Sequence, residues 1–284
     1  MNKIKCVILI TIILVLGSCS SAPKNTGEIK YLRTYAEKGL ESAVKEASLG
    51  KYNSAFTLLT EYKRMAILAD DPSLIIRICL SFGNVLLSLG RTDEAFAEWD
   101  QAINEARISG NRELLSVSRV FKARGNLLSG RASAQSVLDE VIRESANIKT
   151  NRLYIAFSWQ VRGLALHSMG SYREAEDAMK RSLEIHEKEK ALENASFDWY
   201  TIASIRSLAG NTAGALQALE TAIVIDRRIE NSWGLAASWR AMGDVYRKAG
   251  RNDDALDAYK RAGAIYAALD NAHEVAEINK RINN

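Results

Sequence analysis

Glycine recurs on a forty-residue grid, at Gly50, Gly90, Gly130, Gly170, Gly210 and Gly250. A period of that size over most of a chain marks one supersecondary unit stacked on copies of itself, because a single unit cannot bury its own apolar face. Other columns share the grid. Seven residues before each glycine stand Ala43, Gly83, Ala123, Gly163, Ala203 and Gly243, all small. Five residues after it stand Ala55, Ala95, Ala175, Ala215 and Ala255, with Gln135 out of pattern. Nine residues after it the group is bulky: Leu59, Trp99, Met179, Leu219 and Tyr259. Small residues let two antiparallel helices approach, and the large ones fill the space between them. The glycine suits the left-handed residue that ends the first helix of each pair.

Helix starts lie on the same grid. Asp71, Asn111, Asn151, Asn231 and Asn271 are placed to cap the first helix of a pair. Ser171 with Glu174 reads as a capping box at the start of a second helix. Each repeat is then a first helix of about 17 residues, a glycine turn, and a second helix of about 17–19. In the third repeat the alanine comes early, at Ala134, and Leu138 and Val141 follow it, which predicts a turn one residue shorter there. From Asn271 to Asn284, Val275, Ile278 and Ile282 share one face, as expected of a helix that caps the end of the stack. Two prolines in the whole chain leave long helices uninterrupted. The expectation is an all-α fold.

The N-terminus has another character. Lys3 and Lys5 precede an apolar run from Val7 to Leu16, the pattern of a signal peptide. The run ends in Leu16-Gly17-Ser18-Cys19, which resembles the bacterial lipobox. That resemblance implies cleavage before Cys19, diacylglyceryl transfer to its sulfur and acylation of the new amino group, as with palmitate. Several acyl chains, at ~0.8 kcal/mol per buried CH₂, hold a protein on a membrane permanently. Ser20 rather than aspartate after the cysteine favours the periplasmic face of the outer membrane. Residues 1–18 are thus read as signal peptide, 19–28 as lipidated cysteine and tether, 29–270 as six repeats, and 271–284 as the cap. Loss of Lys3 and Lys5 lowers the formal net charge from +4 to +2, which gives no reason to expect nucleic acid. Of the three cysteines only Cys79 then remains free, so no internal disulfide can form.

The stretches Trp159–Leu183 and Trp239–Ile265, with their aromatic, small residue, turn glycine, alanine and large apolar residue, resemble the tetratricopeptide repeat (TPR) family. The resemblance covers about residues 29–270 and implies an α-α superhelix of six helix-turn-helix repeats. The unit is longer than the usual 34 residues and resembles the 40-residue variety, whose extra length is expected in the second helix and the loop after it. In this family the first helices line a concave groove that binds a protein or peptide. The groove positions carried over are Arg77, Asn84, Arg124, Phe157, Gln160, His167, Tyr200, Arg240, Asp244 and Arg247. Asn84 is followed by Arg124 and then Leu164 in one column, so the terminal-carboxylate clamp of chaperone-binding members is not expected.

Few other chemistries are visible. No phosphate-binding Gly-rich loop and no Gly-x-Ser-x-Gly elbow occurs. His186-Glu187 begins like a zincin helix but has Lys190 where the second histidine belongs, and His273 with Glu277 lacks a third ligand. No catalytic residue, metal site or cofactor is therefore expected. Trp159, Trp199 and Trp239 share a column and read as core packing, and Cys79 in the same column as a buried, inert thiol. Trp233 stands outside it, in a column of Ser73, Glu113, Leu153 and Glu193, and reads either as an exposed partner anchor or as packing under the adjacent loop. The reading is a lipid-anchored scaffold of the bacterial cell envelope, or alternatively a ligand-handling accessory of a transport system.

Overall fold

The computed structural model describes residues 26–283; the expected signal peptide and Cys19 lie outside the described residues. Thirteen helices and no strand occur among the described residues. The first repeat comprises α1 (Thr26–Ser48) and α2 (Tyr52–Leu68), and the second α3 (Pro72–Ser88) and α4 (Thr92–Ile108). The third is α5 (Arg112–Leu128) with α6 (Ala134–Ser145), and the fourth α7 (Arg152–Ser168) with α8 (Tyr172–Lys188). α9 (Leu192–Leu208) and α10 (Thr212–Arg228) form the fifth, and α11 (Ser232–Lys248) and α12 (Asn252–Ala268) the sixth. α13 (Ala272–Asn283) closes the end. No described helix is long and apolar enough to cross a membrane.

The structural period is twenty residues, half the sequence period. All six ladder glycines have positive φ, from 69° at Gly130 to 85° at Gly210. The turns between repeats have the same geometry at Asp70, Gly110, Lys190, Glu230 and Asp270. Each turn is a Schellman motif, in which the residue after the left-handed one closes a six-residue backbone loop. Asp71 N bonds to Ala66 O at 3.3 Å, Asn111 N to Ala106 O at 3.0 Å and Asn231 N to Asp226 O at 2.9 Å. That same residue caps the next helix. Asp71 accepts from Leu74 N, Asn111 from Leu114 N, Asn151 from Tyr154 N, Asn231 from Gly234 N and Asn271 from Glu274 N, as expected.

The structure corrects three readings of the turns. Ser171 makes no side-chain cap, so no capping box forms. Its hydroxyl falls short at the φ and ψ of this turn, where the longer Asn211 still reaches Gly214 N at 2.9 Å. Both helices of a regular repeat have 17 residues, so the extra length is not concentrated in the second. The third repeat has a longer turn, not a shorter one: Ser133 caps α6, which starts at Ala134 and runs only 12 residues. The loop that follows is gathered by Glu113, which accepts from the backbone nitrogens of Lys149, Thr150 and Asn151.

Between paired helices the small and large columns interlock as the sequence pattern requires. A Cβ added at Gly83 or Gly125 comes within 2.2 Å of the Trp99 ring, and one at Gly243 within 2.5 Å of Tyr259. Trp99 and Tyr259 are fully buried. Cys79 is buried too, and burial pushes its thiol pKa upward. Trp159, Trp199 and Trp239 pack against the core but keep part of their surface outside it. Arg162 and Arg181 lie over Trp159 at 4.9 and 4.6 Å, and Arg261 over Trp239 at 5.0 Å. These tryptophans are the outer wall of the core, Trp159 and Trp239 sheltered by guanidinium groups and Trp199 donating its indole N–H to Glu187 at 3.4 Å. On α13 Ile278 is buried beneath Gly263, which makes the predicted cap.

Gly210 faces open space at a φ of 85°, so Gly210→Ala tests the turn alone. It should cost about 1–2 kcal/mol in denaturant unfolding. Lys190→Gly, at a φ of 57°, should go the other way and stabilise by up to about 1 kcal/mol.

Candidate binding groove

The first helices line the inner wall of the superhelix, and the wall comes round on itself. The α1–α2 turn meets the start of α11: a Cβ at Gly50 falls 3.0 Å from the Trp233 ring. Tyr52 stands edge-on to Trp233 at 5.8 Å, and Tyr266 approaches its other side at 5.4 Å. Trp233 is therefore not an exposed partner anchor. It joins the first repeat to the sixth, where the sequence column predicted only a side chain out of pattern.

Two neighbouring cavities open on the inner wall, with Glu193 and Phe197 in both linings. The larger, of 430 Å³, is bounded by Asn84, Phe121, Arg124, Tyr154 and Phe157 on one side. Phe121 and Phe157 stack at 4.2 Å between centroids. Arg124 is the unusual member. Its Nη1 reaches Asn84 Oδ1 at a weak 3.4 Å, and its Nε is buried with no hydrogen-bond partner. Burial pulls its pKa down to about 10, so the group is still a cation at neutral pH. The side chain is half-buried, but a guanidinium nitrogen that is itself buried with an unused donor is a costly arrangement unless another group completes it.

Behind this cavity lies a closed polar cluster. Gln160 Nε2 donates to Asp198 Oδ1 at 2.9 Å, and Ser182 Oγ donates to Asp198 Oδ2 at 2.9 Å. His186 Nδ1 meets the same Oδ2 at 2.7 Å. Asp198 and Ser182 are fully buried and His186 is 2% exposed. A serine, a histidine and an aspartate are together, but not as a nucleophile and its base. The serine hydroxyl is spent on the carboxylate, and serine and aspartate converge on the same ring nitrogen. The cluster ties α7, α8 and α9 together.

The smaller cavity, of 320 Å³, lies at the closure and is lined by Tyr52, Tyr200, Trp233, Asp226 and Arg240 besides the two shared residues. Asp226 is 1% exposed; Asn231 Nδ2 donates to its Oδ1 at 2.8 Å. Burial raises its pKa to about 6, and burial with the nearby charge of Asp226 raises that of Glu193. The one basic residue of the lining, Arg240, is held by Glu274 at 2.6 Å.

The other groove positions divide. Tyr200 lines the closure cavity, and Arg77 is exposed at the rim near Tyr154. His167 is half-buried, its Nε2 3.3 Å from Ser204 Oγ, and burial lowers its pKa. Gln160 is turned into the Asp198 cluster. Asp244 accepts from Tyr259 Oη at 2.7 Å and pairs with Arg281, while Arg247 lies over Tyr259 and donates to the Arg281 carbonyl. With Arg240, these two residues serve to dock the cap helix.

Sequence reasoning missed Phe121, Phe197, Glu193 and Asp226. A signal was present for Asp226, in the column sixteen residues after each ladder glycine. There Ala66 and Ala106 are followed by His186, Asp226 and Tyr266. A polar group entering a buried alanine column marks a place where packing alone does not set the residue.

Models of the tetratricopeptide repeat family match residues 196–268 and 158–189. No curated protein matches the sequence. Among solved structures the chain is similar to BtubC (BKLC) from P. vanneervenii, at 16% identity over 84% of this chain and 93% of that one, with a TM-score of 0.55. It is similar to the Rap protein complexed with Competence and Sporulation Factor, at 14% identity over 90% of this chain and 78% of that one, with a TM-score of 0.60. A third likeness is to the APC/C hetero-tetramer Cut9-Hcn1, at 14% identity over 91% of this chain and 47% of that one, also at 0.60. At such identities what is shared is the fold.

Asp226 yields a prediction of sign. Its carboxyl binds a proton more tightly in the folded protein than its ordinary 3.8, so stability falls as pH rises from there through about 6. Asp226→Asn keeps an oxygen for Asn231 and removes the charge. Its melting temperature should match wild type near pH 4 and exceed it above pH 6, by about 1–2 kcal/mol of stability. Melting curves from pH 4 to 7 check this, with Glu193, whose pKa is also raised, and Arg240, Tyr52 and Tyr200 facing the same cavity.

Proposed function

From a chain that is a tetratricopeptide repeat protein, we propose a lipid-anchored scaffold of the bacterial cell envelope that receives a segment of a partner protein in its concave groove. The observation that carries the groove is Arg124, a half-buried cation in the inner wall whose Nε is buried with an unused donor. A partner that brings an acceptor to this point, with apolar side chains for the Phe121–Phe157 wall, satisfies both. The similar Rap fold, solved in complex with Competence and Sporulation Factor, supports the idea that such a superhelix holds a ligand. Lys3, Lys5, the apolar run and the Leu16–Cys19 motif support attachment through acylated Cys19, on the periplasmic face of the outer membrane. The proposed role is binding: the buried cluster of Ser182, His186 and Asp198 is arranged as a brace rather than as a nucleophile and its base.

The alternative, a ligand-handling accessory of an envelope transport system, draws its support from the closure cavity at Trp233.

Two measurements test the scaffold. Tagged full-length protein captured from solubilised membranes should bring down one stoichiometric partner, and Arg124→Glu should lose it. Arg124→Met removes the unpaired charge, so it should melt higher, by about 1–3 kcal/mol of stability, and still lose the partner. Equal recovery by wild type and Arg124→Glu overturns the groove assignment. Cys19→Ser should move the protein from the membrane to the soluble fraction; unchanged membrane attachment rules out the anchor.

A further inference from the structure

We propose that the cavity where the superhelix closes is a binding site for an organic ammonium cation. Its walls are aromatic: Tyr52 from the first repeat, Phe197 and Tyr200 from the fifth, and Trp233 from the sixth. Tyr52 and Trp233 meet edge-on at 5.8 Å, so their faces are presented at an angle to one another. Aromatic faces attract cations through their quadrupole, and more strongly when the cation is removed from water. Two carboxylates complete the lining, Glu193 and Asp226.

The charge balance identifies the sign of the occupant. Asp226 is 1% exposed, yet the one basic group of the lining, Arg240, is engaged by Glu274 at 2.6 Å and faces a carboxylate of its own. Asp226 is thus a buried negative charge that the chain leaves without a counter-ion, and Glu193, exposed at the cavity's edge, adds a second carboxylate. A buried charge such as Asp226 is retained at a cost in stability unless a cation enters. The raised pKa of Asp226 is the expression of that cost, and a bound cation reverses it.

The walls identify the chemical class. Two carboxylates among four aromatic rings make a poor shell for a hard metal ion, which takes six or more oxygens. They suit a charged nitrogen on a small apolar body, and 320 Å³ lies at the small end of ligand sites. The cation is either a free amine or the side chain of a lysine carried by a partner. Because Tyr52 and Trp233 belong to opposite ends of the repeat array, an occupant also fastens the closure. The site adjoins the Arg124 cavity, sharing Glu193 and Phe197 with it, but Arg124 is not in its lining, and it stands whether or not the groove takes a partner segment there.

Titration calorimetry of the full-length protein above pH 6 tests the site with three probes: choline, n-butylammonium and Nα-acetyl-lysine amide. Saturable binding of one of them is expected, weakened about tenfold or more by Asp226→Asn, by Glu193→Gln and by Trp233→Leu. Choline or butylammonium as the tightest probe points to a free amine, and the lysine amide to a partner side chain. Asp226→Asn should melt higher than wild type while binding worse, an outcome that damage to the fold does not produce. Arg124→Met should leave the affinity unchanged, which separates this site from the groove reading. No saturable heat for any probe up to about 10 mM, or affinity unaltered in the Asp226→Asn, Glu193→Gln double variant, overturns the proposal.

Discussion

The left-handed residue that ends each helix sets the architecture. Every helix of 17 residues but α5 is followed by a C-cap, one residue at positive φ, and one residue that serves two helices at once. Asp71 shows both duties: its N–H closes the Schellman loop of α2, and its carboxylate caps α3. With only three residues between helices, consecutive helices must run antiparallel and in contact. The interlocking of Trp99 with Gly83 and Gly125 follows from that forced proximity. Where the turn differs, after Gly130, the helix that follows is five residues shorter, and an acidic side chain, Glu113, has to organise the loop instead.

Stacking such pairs at a constant offset gives curvature, and curvature accumulated over six repeats brings the first turn to the start of α11. Gly50 then has a second role. Any side chain there presses on Trp233, so the residue that permits the turn also permits the closure. An open solenoid presents one continuous concave surface. Here the contact among Tyr52, Trp233 and Tyr266 divides that surface and encloses part of it.

Turns, caps and helix pairing were legible because they depend on residues a few positions apart, each under a steric or hydrogen-bonding requirement. The non-glycine turns were not, since Lys190 and Glu230 adopt positive φ without any compositional mark. The closure was illegible for a different reason. Trp233 and Gly50 are neighbours only because of the summed rotation of the intervening repeats, which no local pattern encodes. Gln160 illustrates the same limit: its column places it on the inner wall, but Asp198, one repeat on, turns it inward. Asp198 replaces serine or isoleucine in a buried column that otherwise holds Ile78, Ser118, Ser158 and Ser238. Departures from a repeat's own buried columns are thus the more informative sequence signal, and they lead to His186, Asp198 and Asp226 together.

The inner wall carries charges that local contacts do not explain. Partly buried ionic groups elsewhere in the structure pair with one another, as Lys63 does with Glu98 and Arg206 with Glu176. Asp226 is buried and Arg124 half-buried with its Nε enclosed; neither has such a partner, and they have opposite signs. Neither residue is required by the repeat, because the corresponding positions in other repeats are filled by Leu164 and Ser204 in one case and Ala66 and Ala106 in the other. A fold with this many regular turns can bear a few kilocalories per mole of local destabilisation. Groups whose burial lowers stability, and which packing would replace with something apolar, are most simply understood through what they bind. The regular part of the chain supplies rigidity, and Arg124 and Asp226 stand in its inner wall without an ionic partner.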